Sequence, residues 1–373
     1  MIRNTLTVAF CLISMVGSAT GQIDDFRLHR NHTRSSMQSY KPGVSGATLP
    51  RRPPMPGEGE TIAYAEHLFN VTEARAMVLI EGGHVVWERV KLPATHASPF
   101  HGYSVTKSIL SVGVGKAICS GLLSLDERLD EHVPSFASTA LGRATVRDML
   151  TMASGSTSSE PGGGLPALVR AVDFGGPEDI EAALLFEDTP KTRRGLFGAY
   201  RPGEVFDYKN TDPEALGLAF HKKTGRSVAQ WLSESVLAPA GVAGPAYFGA
   251  DRMQHTNTSY GMRMPIEDWS RLAIWIKAQS KTSSCFGDYL RTAMTRQIHN
   301  VERRTGASWS GYGYLFWTDA HDAPGSVWAL GYGGQRIAWS EKNDRILIIF
   351  STAETWTAEG LRLFNLWNRA AGK

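Results

Sequence analysis

Ser104-Val105-Thr106-Lys107 sets a hydroxyl and an amine three residues apart, just ahead of a long apolar run. In a helix that spacing puts both groups on one face, one turn apart. A serine hydroxyl is a weak nucleophile until a neighbouring base takes its proton. A lysine amine can be that base once burial disfavours its ammonium form. No other lysine in the chain has a serine three residues before it. The setting suits the chemistry. His101-Gly102-Tyr103 reads as a turn, and Ile109, Leu110, Val112, Val114, Ala117 and Ile118 mark a helix that is apolar nearly all round, hence central and buried. On the pair alone, a chance serine beside a surface lysine remains the competing reading.

Two further segments carry candidate chemistry. Phe206-Asp207-Tyr208-Lys209-Asn210 precedes a helix-like run from Glu214 to His221. Tyr208 could exchange protons with Lys107, because a nearby cation lowers a phenol's pKa. It could equally be a half-buried ring beside an asparagine helix cap. Gly331-Tyr332-Gly333-Gly334-Gln335 interrupts a strand pattern, which marks either close approach of a ligand or a bulge. Thr151-Met152-Ala153-Ser154-Gly155 reads as a structural turn. The 11 histidines are dispersed, and the closest two, His29 and His32, lie in a polar stretch, so no metal and no other cofactor is expected.

The elements that must position these groups can be read around them. Thr61 to Val71 suits a short helix. Arg75 to Leu79 and His84 to Arg89 form a hairpin about Glu81-Gly82-Gly83. Thr145 is a helix N-cap before Val146 to Leu150. Residues 126–289 are helical with long loops, punctuated by Gly162-Gly163-Gly164-Leu165-Pro166 and Gly175-Gly176-Pro177; Val228 to Leu237 and Glu267 to Ala278 have helical period. Tyr314 to Trp317, Val327 to Gly331, Gln335 to Ser340 and Arg345 to Ser351 read as strands, with Asn343-Asp344 turning the last two, before a helix from Ala358 to Ala371. Strands at both ends with helices between imply an α/β (α+β) fold: one antiparallel sheet from about 61–125 and 290–373, and a mainly helical part at 126–289.

The 373 residues, 42% hydrophobic and 20% charged, suffice for a large core, and a net charge of +3 without a basic block gives no argument for a nucleic-acid partner, so none is expected. Arg3, the apolar run Leu6 to Val16 and the small residues Gly17 to Gly21 have the form of a secretory leader over 1–22. That run is too short to span a membrane, so no stable span is expected after its removal, and a periplasmic or secreted protein is. Residues 23–60, rich in proline and charge, form an extended arm or linker. Cys119 and Cys285 remain, either as a pair or as two free thiols.

Taken together, these segments resemble the serine β-lactamase-related family: penicillin-binding proteins, class C β-lactamases and their esterase and amidase relatives. The family's Ser-x-x-Lys matches Ser104 to Lys107, its Tyr-x-Asn matches Tyr208-Lys209-Asn210, and its third motif falls on Tyr332-Gly333-Gly334. Thr145 to Gly155, TVRDMLTMASG, looks like the family's "TVRDLLTHTSG" segment. The resemblance implies a β-lactamase/transpeptidase-like fold and catalysis by Ser104, Lys107 and Tyr208. It implies that Asn210 orients Lys107 and the substrate acyl chain, that Tyr332 to Gln335 border the substrate, and that the Ser104 and Gln335 N–H groups hold an oxyanion. Two departures matter. Tyr332 stands where penicillin-recognising members carry lysine, leaving Arg336 as the nearby cation. The Gly-Gly-Gln pattern and Gly311 to Trp317 look most like the 6-aminohexanoate-dimer hydrolase and carboxylesterase branch, in which strongly amide-cleaving members carry a tyrosine on the loop that here reads Ser158 to Gly164 without one. The expectation is a hydrolase of small esters, with amides or β-lactams as alternative substrates and a non-catalytic binding protein as the rival of another class.

Overall fold

A computed structural model describes residues 37–40, 48–158, 167–173, 179–192, 198–301, 306–354 and 356–370. The leader, most of the arm before residue 48, the two glycine-proline segments and the loop from residue 159 lie outside the described residues. Neighbouring strands of the main sheet all pair antiparallel, in the order β3 (His84–Val90), β2 (Ala74–Glu81), β14 (Arg345–Ser351), β13 (Gln335–Ser340), β12 (Ser326–Gly331), β11 (Trp317–Ala320), β10 (Trp309–Tyr312), β9 (Ile298–His299). The hairpin near the start of the fold thus pairs with the last strand, as the sequence implied. Every residue of β13 and β14 is buried, because helices cover both faces. On one face lie α1 (Gly59–Val71) and α6 (Thr357–Arg369), where Trp328 packs on Phe364. On the other lie α2 (Val105–Cys119) and α4 (Ile266–Ser280), where Trp339 donates its indole N–H to the Ala273 carbonyl.

The helical part is built around α3 (Thr211–Thr224), with shorter helices at Val146–Leu150, Ala167–Asp173, Ile180–Glu187 and Val228–Leu232. Thr145 caps the first of these in a reciprocal box with Asp148. The helix at Val228 passes into a π-turn at Ser233–Leu237. A second sheet joins β1 (Met37–Tyr40), β7 (Ala246–Gly249), β8 (Arg263–Met264) and β4 (Phe100–His101), in that order. β5 (Ser156–Ser158) and β6 (Asp188–Pro190) pair by themselves.

Two local expectations change, and one open alternative is settled. Tyr314 and Leu315 are the turn between β10 and β11, not strand: Leu315 has φ +59° and is held there by its N–H on the Leu150 carbonyl and its own carbonyl on the Ser108 hydroxyl. The described part of the arm is packed on the body. β1 pairs with β7, and Arg52 enters a partly buried ion cluster with Glu58, Glu81 and Arg345. Cys119, at the end of α2, is bonded to Cys285, the first residue of α5 (Cys285–Ala293). Among the described residues no helix is long and apolar enough to cross a membrane.

Candidate active site

Helix α2 carries Ser104 at its N-cap and buries almost its whole circumference, so Lys107 in its first turn is 1% exposed. A lysine in that position must find partners inside the protein. Its Nζ lies 2.8 Å from Ser104 Oγ, 2.8 Å from Asn210 Oδ1 and 2.8 Å from the Ser259 carbonyl oxygen. Burial drives its pKa down to about 7, opposed by the charge of Glu214. The neutral amine has two hydrogens and one lone pair. Two of its three neighbours are oxygens that only accept, so both hydrogens go to Asn210 and Ser259. The lone pair is left facing the Ser104 hydroxyl.

Asn210 precedes α3 as its N-cap residue, but its side chain makes no capping bond; it is spent on Lys107. Tyr208 lies two residues earlier, its ring 5.2 Å from the Lys107 amine and packed against Trp317 and Tyr312. The expectation that the cation lowers its pKa is not met. Burial pushes the phenol up to about 12, with only a hydrogen bond to Ser104 acting the other way. Near neutral pH Tyr208 therefore holds its proton, and Lys107 is the group poised to take one.

Ser104 and Tyr208 open onto a cleft of about 380 Å³ walled by Trp309 and Trp317 and by the turn from β12 into β13. Gly331 approaches the turn before Ser104 so closely that a Cβ there would sit 2.2 Å from the Gly102 carbonyl oxygen. Gly333 and Gly334 take φ of +75° and +87°, which only glycine adopts without strain. Gln335 begins β13 and lines the cleft. Its side chain is turned inward, donating to the Tyr332 and Ser351 carbonyls and accepting from the Ser351 N–H. Tyr332 stands at the rim, 72% exposed. Gly333 does not line the cleft, and its N–H donates to Glu354 at 3.0 Å.

The structure thus gathers Ser104, Lys107, Tyr208, Asn210 and the 332–335 turn into one place. The cation considered from sequence, Arg336, lines the far end of the cleft but is 4% exposed. It donates to Thr357 Oγ1 and to the Gly334 carbonyl, stacks over Trp356, and is lowered to about 10 by burial. Sequence reasoning passed over Ser259, Glu354, Trp309 and Glu214. Glu214 had one local signal, lying four residues after Asn210 on the same helix face; the others had none. Among the described residues no group of three or more His, Cys, Asp or Glu side chains is placed to hold a metal ion.

The family model described as Beta-lactamase matches residues 71–371. Protein flp of Staphylococcus aureus (strain COL) is 24% identical over 152 residues, covering 40% of this chain and 28% of the relative. Penicillin-binding protein 4* of Bacillus subtilis (strain 168) is 26% identical over 185 residues, covering 48% and 38%. The match therefore spans well under half the length of these relatives. Among solved structures, a Bacillus anthracis protein named as a 6-aminohexanoate-dimer hydrolase superposes with TM-score 0.74 at 19% identity, covering 95% of this chain and 96% of the other. EstCE1, a hydrolase with promiscuous acyltransferase activity, gives 0.66 at 14%, covering 84% and 98%. At such identities the superpositions establish the fold and nothing finer.

Proposed function

The chain belongs to the Beta-lactamase family, and from that premise and the geometry around Ser104 we propose that it is a serine hydrolase cleaving small esters in preference to amides and β-lactams. One observation carries the reading: the buried Lys107 amine lies 2.8 Å from Ser104 Oγ and from two oxygens that only accept, so that in its neutral form its lone pair is left for the Ser104 hydroxyl. Lys107 takes the proton as Ser104 Oγ attacks the carbonyl, forming an acyl-enzyme. Backbone N–H groups of Ser104 and Gln335 hold the oxyanion, such donors being worth about 3–4 kcal/mol each. Tyr208, a phenol at neutral pH, hands a proton to the leaving group and later helps a water discharge the acyl group. Asn210 orients Lys107.

The preference for esters follows from what surrounds the leaving group. An alkoxide leaves with less help from a placed acid than an amide nitrogen does. Tyr332 puts no positive charge at the rim, and the deeper guanidinium of Arg336 has Glu354 and Glu359 near it, which weakens its pull on a substrate carboxylate. The Cys119–Cys285 bridge supports the further reading that the protein is exported to an oxidising compartment. The test is a fluorophosphonate probe mapped by mass spectrometry, followed by rates on p-nitrophenyl esters, nitrocefin and a linear amide dimer. Labelling at Ser104, abolished in Ser104→Ala, is expected, with the esters fastest. Faster turnover of nitrocefin or the amide would replace the esterase reading with the β-lactamase or amidase one. Absence of labelling at Ser104 would favour a non-catalytic binding protein.

A further inference from the structure

Glu214 is a buried carboxylate for which the hydrolytic scheme has no use. It lies in the first turn of α3, 1% exposed, where an unpaired charge is costly. Both its oxygens are engaged, and by one short segment. Oε2 accepts from the Thr258 N–H at 3.1 Å, while Oε1 accepts from the Ser259 N–H at 2.9 Å and from the Ser259 hydroxyl; the Thr258 hydroxyl, 3.1 Å from Oε2, has its shorter bond to the Pro213 carbonyl at 2.7 Å. Backbone N–H groups cannot reverse their polarity, so bonds from them to both oxygens favour the carboxylate anion over the acid. Burial works the other way and raises its pKa, and the surrounding donors are what oppose that rise.

The same two residues form the floor under Lys107. With its N–H groups drawn onto Glu214, the segment presents the Ser259 carbonyl to Lys107 Nζ at 2.8 Å. Asn257 reinforces the conformation, its Oδ1 accepting from the N–H groups of Ser259 and Tyr260. Segment and carboxylate are 44 residues or more apart in sequence and meet only in the fold. The ionisable groups around them are Lys107 on α2, Tyr208 ahead of α3, and Tyr260 with Asp173 behind it. Asp212, although close in sequence, is engaged by Lys209 and Ser154.

We propose that Glu214 is a positioning residue of the active site: its carboxylate locks the Ser259 carbonyl onto Lys107 and stabilises the ammonium that forms when Lys107 takes the Ser104 proton. This rests on the hydrolase reading above. The nucleophile is activated only as positive charge grows on a buried amine. A fixed carbonyl dipole and a fixed anion behind it oppose the desolvation that would otherwise stop the transfer. The carboxylate thus keeps the amine basic enough to accept the proton, while burial keeps it free of a proton beforehand.

The experiment is the rate of fluorophosphonate labelling against pH for the full protein, for Glu214→Gln and for Glu214→Asp, with thermal unfolding to establish folding. Lys107 must be neutral to receive the proton, so labelling falls on the acid side of its pKa. Removing the anion in E214Q lowers that pKa, and the acid limb should move down by about half to one pH unit, the low end of what a nearby charge does. The E214Q plateau should also fall, because an amide cannot accept from both N–H groups. E214D keeps the charge but falls one methylene short of the 258–259 segment, so its plateau should drop while the limb stays near that of the unmodified protein. An unmoved limb in folded E214Q overturns the electrostatic role, and an E214D plateau equal to the unmodified one overturns the positioning role, even if E214Q does not fold. A purely structural carboxylate would lower the melting temperature without moving the limb. If the unmodified protein does not label at Ser104, the hydrolase reading falls and this inference with it.

Discussion

The pH dependence of the reaction follows from how deeply Lys107 is buried. A shift from 10.5 to about 7 corresponds to about 5 kcal/mol against the ammonium, a penalty set by burial and eased by Glu214. In the proposed scheme the neutral amine is the working form, so the sign is fixed: activity is expected to be full above the pKa and lost as pH falls through it. With a pKa near 7, about one molecule in ten is competent at pH 6 and about one in a hundred at pH 5, so kcat/KM should drop about tenfold per unit on the acid side. The assay is initial rate on p-nitrophenyl acetate from pH 5 to 9, corrected for spontaneous hydrolysis. Lys107→Arg is the matched perturbation, because it keeps the charge but has no neutral form in this range. It should cost about 10²–10⁴-fold in rate, the usual worth of a general base. An acid limb centred above pH 9, where an ordinary lysine titrates, or a Lys107→Arg protein with undiminished turnover would refute the reasoning. The linkage to stability runs the same way: the folded amine binds its proton more weakly than the unfolded one, so its contribution to stability rises from pH 7 toward 10.5.

Tyr208→Phe keeps the packing on Trp317 and removes the phenolic proton; kcat should fall by about 10²–10⁴-fold with a smaller change in KM, and equal kcat would reduce Tyr208 to a packing residue. Gly331→Ala would place a methyl 2.2 Å from the Gly102 carbonyl, so the strand end and the turn before Ser104 must part; about 1–3 kcal/mol of stability and much of kcat should be lost, read by thermal unfolding and ester turnover. The Cys119–Cys285 bridge ties the far end of the Ser104 helix to α5 across 166 residues of chain, and the chain-entropy description allows it at most about 5 kcal/mol. Double replacement of both cysteines by alanine should lower the melting temperature while leaving ester kinetics nearly unchanged, and an equal melting temperature would show that the bridge constrains nothing.

What the sequence determined by itself was local and periodic. The Ser104–Lys107 spacing, the Thr145 cap and the bounds of β13 and β14 are visible because each depends on residues a turn or a strand apart. The fold class followed too, since strands at both ends of a helical stretch leave few ways to cover the apolar faces. Tyr314 and Leu315 misled because apolar content reads as strand, whereas long-range bonds to Leu150 and Ser108 hold Leu315 in a left-handed turn. The chemistry of the site was decided elsewhere. Asn210 looks like a cap until Lys107 arrives from 103 residues away, and Glu214 is one more polar helix residue until Thr258 and Ser259 close over it. Tyr208 and Lys107 are a phenol and an amine in any sequence. Their order of proton affinity, about 12 against about 7, was set by removal from water. Desolvation belongs to everything packed around a group, most of it distant in the chain, so only the tertiary structure could leave the lysine the weaker holder of a proton and its neighbouring tyrosine the stronger, the order that the proposed base and acid roles require.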